Sequence, residues 1–90
     1  MSMIQLHTQD GQKFDAYFAN APRDDAPGLV LIQEIFGINQ AMRTAAHRWA
    51  ELGFNVVVPD LFWRQQSGVV LEPRIEAEFA KGVELMQAMD

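Results

Sequence analysis

The sequence has 90 residues, 49% of them hydrophobic, and a formal net charge of −5, which together predict one small globular domain. The seven Lys and Arg residues are scattered, which argues against a nucleic-acid partner, because such a partner requires a basic face. No apolar run approaches the roughly 18 residues of a membrane span. The absence of cysteine excludes disulfides, thiolate metal sites and Cys nucleophiles from these residues.

The first third of the sequence predicts a β-hairpin followed by a loop. Residues 4–8 and 14–18 alternate apolar and more polar side chains, as half-buried strands do. Between them, Asp10-Gly11 offers the positive-φ turn that a tight hairpin requires. Residues 20–27 contain two prolines and two aspartates, which indicates a surface loop.

Residues 29–58 predict a strand–helix–strand unit. The segment 29–32 is apolar on both faces, which suits a strand covered by helices on both sides, and 54–58 is a second buried strand. Between them, Asn39 is a good helix N-cap and Gly53 a good C-terminal glycine. The helix interior repeats apolar residues at helical spacing: Met42, Ala45, Ala46, Trp49 and Leu52. With a right-handed crossover this unit predicts an α/β fold.

The last third predicts an irregular connection over 61–71 and then a helix. Pro73 fits the first turn of that helix. The helix carries an apolar stripe that we expect to contact a core: Ile75, Phe79, Val83, Met86 and Met89. Because the sequence stops inside this helix without a capping signal, we interpret it as a truncated chain.

The segment 30–39 is the most informative part of the sequence. An apolar strand ends in Glu34, passes through Phe36-Gly37 and opens a helix at Asn39. In open α/β sheets, ligands bind at the carboxyl ends of the strands and at helix starts. By spacing alone, a solvated loop carboxylate is the simpler interpretation of Glu34.

Two motifs, in this order and at this separation, resemble the dienelactone hydrolases (carboxymethylenebutenolidases), a branch of the α/β-hydrolase fold. They are Gln33-Glu34-Ile35-Phe36-Gly37-Ile38-Asn39 and Val58-Pro59-Asp60-Leu61-Phe62-Trp63-Arg64. The resemblance extends over nearly the whole chain. It implies that residues 1–90 are the N-terminal segment of one such domain, with a mostly parallel but incomplete sheet and no second domain.

The resemblance also implies a reaction. The intact fold would hydrolyse a small ester or enol-lactone by attack of an elbow Cys or Ser, activated by His and Asp, all lying beyond residue 90. It would need no cofactor. The isolated chain is therefore expected to be inactive.

The resemblance assigns catalytic roles to two residues of the first motif. Family glutamates at the position of Glu34 line the active site and hold the nucleophile in its resting state until substrate displaces them. The backbone N–H of Ile35 would be the first oxyanion donor, and the second would come from the residue after the nucleophile.

Four further residues resemble substrate-binding positions: Phe36, Phe62, Trp63 and Arg64. Core filling or loop anchoring is the alternative for the aromatic residues. Arg64 would bind a substrate carboxylate, pair with Asp60 or Glu34, or face solvent.

The last helix departs from the family pattern. Where the family places an arginine and, four residues later, a tyrosine to hold the substrate carboxylate, simple alignment puts Phe79 and Val83. Neither side chain can bind an anion. A less polar ester or lactone is therefore the expected substrate.

Other chemically active residue types point to no further site. His7 and His47 are interpreted as structural or surface residues. Ser67, in Gln66-Ser67-Gly68, lacks the strand–turn–helix context of a nucleophile elbow. No metal site is expected, because His7 and Asp10 alone are too few ligands.

A second hypothesis belongs to another class: a non-catalytic module that self-associates or binds a partner through its sheet edge. In the resembled fold the strand order begins 1-2-4-3-5, so the 29–32 strand would lie at the edge of this chain's sheet. Such an edge recruits other chains, and a homo-oligomer or a complementing chain is expected. The start of the sequence lacks the basic residues and long apolar core of a signal peptide, and we expect a cytoplasmic protein.

Overall fold

A computed structural model describes residues 2–89 of the chain. It contains a four-stranded mixed sheet with strand order β1-β2-β4-β3, and two helices. In chain order the elements are β1 (Ser2–His7), β2 (Lys13–Ala19), β3 (Gly28–Val30), α1 (Gln40–Glu51), β4 (Asn55–Pro59) and α2 (Glu76–Gln87). The predicted hairpin, the strand–helix–strand unit and the last helix are all present.

The hairpin of β1 and β2 closes through a short polar turn. The two strands pair antiparallel, with Leu6 opposite Phe14. Gly11 has a φ of 87°, and the N–H of Gln12 donates to Oγ1 of Thr8 at 2.9 Å. The Asp10-Gly11 prediction is confirmed, because the turn requires a residue that adopts positive φ at little cost.

Strand β4 is the centre of the sheet. It pairs antiparallel with β2, where Tyr17 lies opposite Val58, and parallel with β3, where Leu29 lies opposite Val56. Both valines are completely buried. The resemblance to the dienelactone hydrolases predicted this neighbour relation and the edge position of β3, and both are confirmed.

The strand at the edge is shorter than predicted. It ends at Val30, although the N–H of Leu31 still donates to the carbonyl oxygen of Val57 at 2.9 Å. The side chains of Val30 and Ile32 are exposed, so helices do not cover both faces here as the apolar run suggested.

Helix α1 begins and ends as predicted. Oδ1 of Asn39 accepts a hydrogen bond from the N–H of Met42 at 3.1 Å, and Gly53, with a φ of 109°, follows the last turn. The buried face consists of Met42, Ala46 and Ala50. Trp49 and Leu52 share the predicted apolar spacing and are exposed. Trp49 packs edge-on against Phe54 at the periphery, with ring centroids 5.8 Å apart.

Helix α2 differs from its prediction at the start and in its buried face. It begins at Glu76, after a turn in which a carboxylate oxygen of Glu72 accepts bonds from the backbone N–H and the Nε of Arg74. Pro73 lies in that turn and not in the first helical turn. The buried residues are Gly82 and Leu85. Most of the predicted stripe is exposed, namely Ile75, Phe79, Met86 and Met89.

The core has two parts. The first lies between the sheet and α1. The second lies under α2 and consists of Phe62, Val69 and Leu85, with Ile35 and Leu71 packed against it. Helix α2 therefore rests on the segments that follow β3 and β4. No helix within residues 2–89 is long and apolar enough to cross a membrane.

Candidate active site

The segments that leave the carboxyl ends of the parallel strands β3 and β4 are joined by the side chain of Gln33. Its Oε1 accepts a hydrogen bond from the N–H of Leu61 at 2.9 Å, and its Nε2 donates to the carbonyl oxygen of Glu34 at 3.1 Å. Gln33 is 9% exposed. Sequence reasoning did not single it out. The available signal was a side chain with both a donor and an acceptor, set between an apolar strand and a carboxylate.

Gly37 brings the same two segments into backbone contact. It forms an isolated antiparallel bridge with Val70, and the N–H of Leu71 donates to the carbonyl oxygen of Phe36 at 2.9 Å. A Cβ at Gly37 would lie 1.9 Å from the carbonyl oxygen of Val69, and the φ there is 77°. Only glycine satisfies both conditions.

Asp60 closes the loop that follows β4. Its two carboxylate oxygens accept hydrogen bonds from the N–H groups of Phe62 at 3.1 Å and of Gly68 at 2.9 Å. The side chain is buried, so these bonds replace the water that the carboxylate has lost. Asp60 is thus a structural anion and does not pair with Arg64.

A cavity of about 240 Å³ lies where the two segments meet α2. We call it the Glu34 cavity, and its lining residues are Gln33, Glu34, Ile35, Leu61, Phe62, Met86 and Met89. It brings together three of the predicted site residues: Glu34, Ile35 and Phe62. The Glu34 side chain is exposed and Ile35 is half-buried, so the carboxylate is accessible at the cavity.

The carbonyl group and the N–H of Ile35 have different surroundings. A Cβ at Gly82 would lie 2.6 Å from the carbonyl oxygen of Ile35, so α2 packs directly on this peptide. Within residues 2–89, the N–H of Ile35 has no hydrogen-bond acceptor. Ile35 lines the Glu34 cavity, and an N–H without a protein partner is available to a ligand oxygen.

The remaining predicted residues lie outside the Glu34 cavity. Phe36 is buried, with its ring centroid 5.5 Å from that of Phe79. Trp63 stacks on Phe14 of β2 at 5.4 Å. These contacts match the alternative of core filling and loop anchoring.

Arg64 lies over Trp63, with its guanidinium carbon 4.4 Å from the ring centroid. Within residues 2–89 it forms no ion pair with Glu34 or Asp60. It borders a second cavity that shares Leu61 and Met89 with the Glu34 cavity.

Several other titratable residues make contacts outside the Glu34 cavity. Nε2 of His47 and the hydroxyl of Tyr17 are 2.6 Å apart, which ties α1 to β2. Three exposed carboxylates outside the Glu34 cavity have their pKa lowered by a hydrogen bond from a neighbour: Asp10 from Thr8, Asp25 from Arg23 and Glu72 from Arg74. Residues 2–89 contain no group of three or more His, Asp or Glu side chains that could hold a metal ion.

The family model and the relatives that this chain matches carry names of one kind. The model of the dienelactone hydrolase family matches residues 14–90. A protein from Azospirillum brasilense named "Putative carboxymethylenebutenolidase" is 44% identical over 91 residues, which cover 100% of this chain and 39% of the relative. A carboxymethylenebutenolidase from Pseudomonas putida is 36% identical over 97% of this chain and 37% of its own length.

A solved structure shows the same fold. The crystal structure of a "Putative Dienelactone Hydrolase" from Klebsiella pneumoniae superposes with a TM-score of 0.59 at 29% identity, over 74% of this chain and 30% of that one. The chain thus spans about two fifths of the length of the relatives that it matches. From the match over residues 14–90 and the two motifs that meet at the Glu34 cavity, we conclude that this chain belongs to the dienelactone hydrolase family.

Proposed function

We propose that this chain supplies one side of the active site of a hydrolase that opens a small ester or enol-lactone. The observation that carries the proposal is the Glu34 cavity, which an accessible carboxylate and Ile35 line beside apolar side chains, the N–H of Ile35 having no acceptor within residues 2–89. The names of the relatives, carboxymethylenebutenolidases, point to the same reaction class.

The chemistry divides between this chain and further polypeptide. In ester hydrolysis a nucleophile adds to the carbonyl carbon, and the carbonyl oxygen gains negative charge that a fixed N–H stabilises. Ile35 would donate that N–H, and Glu34 would contact the resting nucleophile. These 90 residues contain no cysteine and no Gly-x-Ser-x-Gly elbow. The nucleophile, the histidine and the acid that orients it would therefore come from other residues.

The charges at the Glu34 cavity favour an uncharged substrate. Among the described residues, its lining includes the carboxylate of Glu34 and no Lys or Arg, so an anionic group placed there would be repelled. Phe79, at the position that the family pattern gives to an arginine, is engaged with the ring of Phe36. We therefore favour a less polar ester or lactone over a dienelactone that carries a carboxylate.

Complementation tests this proposal. The purified 90-residue chain should hydrolyse p-nitrophenyl acetate no faster than free imidazole and carboxylate. The same chain mixed or fused with the remaining C-terminal part of the Azospirillum brasilense relative should turn over. Absence of turnover in the complemented protein would contradict the proposal. Turnover by the chain alone that disappears in Ser67→Ala would reveal a serine site instead.

The exposed edge of β3 favours a second candidate function. Val30 and Ile32 are 58% and 60% exposed, as in a module that associates through its sheet edge. The coding context separates the two functions. A continuous or adjacent reading frame with Gly-x-Cys-x-Gly and a late histidine favours the hydrolase, and a stop codon with no such partner favours the module.

A further inference from the structure

The peptide bond between Glu34 and Ile35 has a feature that the family motif does not itself reveal. The carbonyl group of Glu34 and the N–H of Ile35 belong to one rigid plane, because the peptide bond resists rotation. Any contact that fixes the carbonyl therefore also fixes the direction of the N–H.

Two donors fix that carbonyl. Nε2 of Gln33 donates to the Glu34 oxygen at 3.1 Å, and the N–H of Gly37 reaches the same oxygen at 3.4 Å. The Gln33 amide is itself anchored at its other end, where Oε1 accepts from the N–H of Leu61 at 2.9 Å.

The hydrogen bonds also establish the orientation of the Gln33 amide. Leu61 offers a donor and therefore needs the amide oxygen, while the Glu34 carbonyl is an acceptor and needs the amide NH₂. A flipped amide would lose both bonds, so only one orientation satisfies the site. Gln33 is also largely buried, and water cannot readily replace either partner.

The next peptide plane, which shares the Cα of Ile35 with the first, is restrained as well. The carbonyl group of Ile35 packs against Gly82 of α2, where no Cβ would fit. A carbonyl that accepts hydrogen bonds polarises its peptide, which makes the N–H of the same unit a stronger donor. The N–H of Ile35 is thus oriented, polarised and without an acceptor within residues 2–89.

We infer that Gln33 is a positioning residue, which holds the N–H of Ile35 in the direction of an oxyanion and couples it to the end of β4. The inference rests on the proposed function for its catalytic consequence. It goes beyond that function by assigning a role to a side chain that need not touch the substrate.

The first arm of the test uses the 90-residue chain and needs no activity. In Gln33→Met, which loses both bonds at similar volume, ¹⁵N relaxation should show the order parameter of the Ile35 N–H falling from about 0.85 to below about 0.6. Residual dipolar couplings should show that its direction changes. The matched control is Gln40→Met, since Gln40 is an exposed glutamine of α1 whose side chain, within residues 2–89, bonds to Thr44.

The second arm uses the complemented hydrolase. Gln33→Met should lower kcat about tenfold and leave KM within about twofold, because a misdirected donor weakens transition-state binding more than substrate binding. Gln40→Met should change neither. Gln33→Glu keeps an acceptor for Leu61 and loses the donor to Glu34, so it should reproduce the effect on kcat if Gln33→Met does not fold.

The outcomes distinguish the positioning role of Gln33 from the proposed function of the chain. An unchanged Ile35 N–H and an unchanged kcat in a folded variant would overturn the positioning role. Loss of folding in both Gln33 variants would also overturn it, since the residue would then serve stability. A complemented wild-type protein without turnover would overturn the proposed function, and the relaxation data would still decide whether Gln33 orients the peptide.

Discussion

Gly37 joins the segments after β3 and β4 through its backbone, and Asp60 closes the segment after β4 through its carboxylate. Neither residue lines the Glu34 cavity. Glu34 differs from both, because its side chain is exposed at the cavity and accepts no hydrogen bond from a side chain or backbone group within residues 2–89. A residue with so few side-chain contacts contributes little to stability. Its substitution should therefore affect chemistry and not folding.

We expect Glu34→Gln to lower kcat/KM of the complemented hydrolase at least about tenfold, with the free energy of unfolding changed by less than about 1 kcal/mol. The substitution removes the negative charge and retains the shape. Steady-state kinetics and urea unfolding measure the two effects. Glu51→Gln, at an exposed position of α1, is the control and should change neither. An unfolded Glu34→Gln whose residual folded fraction is fully active would contradict the gating role.

Gly37→Ala should destabilise the chain by more than about 3 kcal/mol, because positive-φ strain and a backbone clash add together. Gly68→Ala separates the two causes, since Gly68 has a φ of 73° with nothing within 4 Å of an added Cβ. It should cost only about 1 kcal/mol, the strain alone. Urea unfolding of both variants gives the difference. Equal costs would show that the contact with Val69 has no effect.

The two helices are positioned by different means, and this explains which of them the sequence predicts well. Helix α1 carries its own boundaries in Asn39 and Gly53. Helix α2 begins after Ile75, which makes no side-chain cap, so Pro73 was the only visible start signal and it was misleading. Its buried face was also predicted wrongly. Apolar residues occur on more than one face of α2, and the face that packs is determined by where Gly82 permits close approach.

Gly82→Ala tests that packing through the sign of the change in the free energy of unfolding. In an exposed helix, alanine would stabilise by about 1 kcal/mol relative to glycine. Here the new Cβ would meet the Ile35 carbonyl, so we expect destabilisation of about 1–3 kcal/mol and faster amide exchange along α2. Gly28→Ala, where an added Cβ has no neighbour within 4 Å, is the control. A more stable Gly82→Ala would contradict direct packing of α2 on Ile35.

At the scale of the whole molecule, the outer edge of β3 has no partner strand within residues 2–89. We therefore expect the chain to self-associate. Edge strands with free N–H and C=O groups recruit other chains, and the exposed Val30 and Ile32 add apolar area worth about 25 cal/mol per Å² when buried. Sedimentation at micromolar concentration should show a dimer or larger species that Ile32→Lys reduces. Leu52→Lys, at the exposed apolar C-cap residue of α1, should not. A monodisperse 10.2 kDa wild-type chain would contradict this expectation.

Much of the fold could be predicted from the sequence, because hairpin alternation, helix caps and the two motifs are local signals. The strand order came from the family resemblance and agrees with the structure. The cavity was predicted only in part. Trp63 and Arg64 belong to a stack on Phe14, a contact between distant segments that spacing cannot reveal. The hydrogen bonds of Gln33 were missed for the same reason, since its partner Leu61 lies on the other motif.

The central position of β4 also has a consequence for the order of folding. Strands β2 and β3 follow each other in the chain but touch only through β4, which pairs with β2 at residues about forty apart in sequence. The pairing within the hairpin of β1 and β2 is local in sequence, whereas within residues 2–89 β3 pairs with β4 alone. We therefore expect β3 to join this part of the sheet only with β4, and the Glu34 cavity, which depends on the ends of both strands, to form after the hairpin.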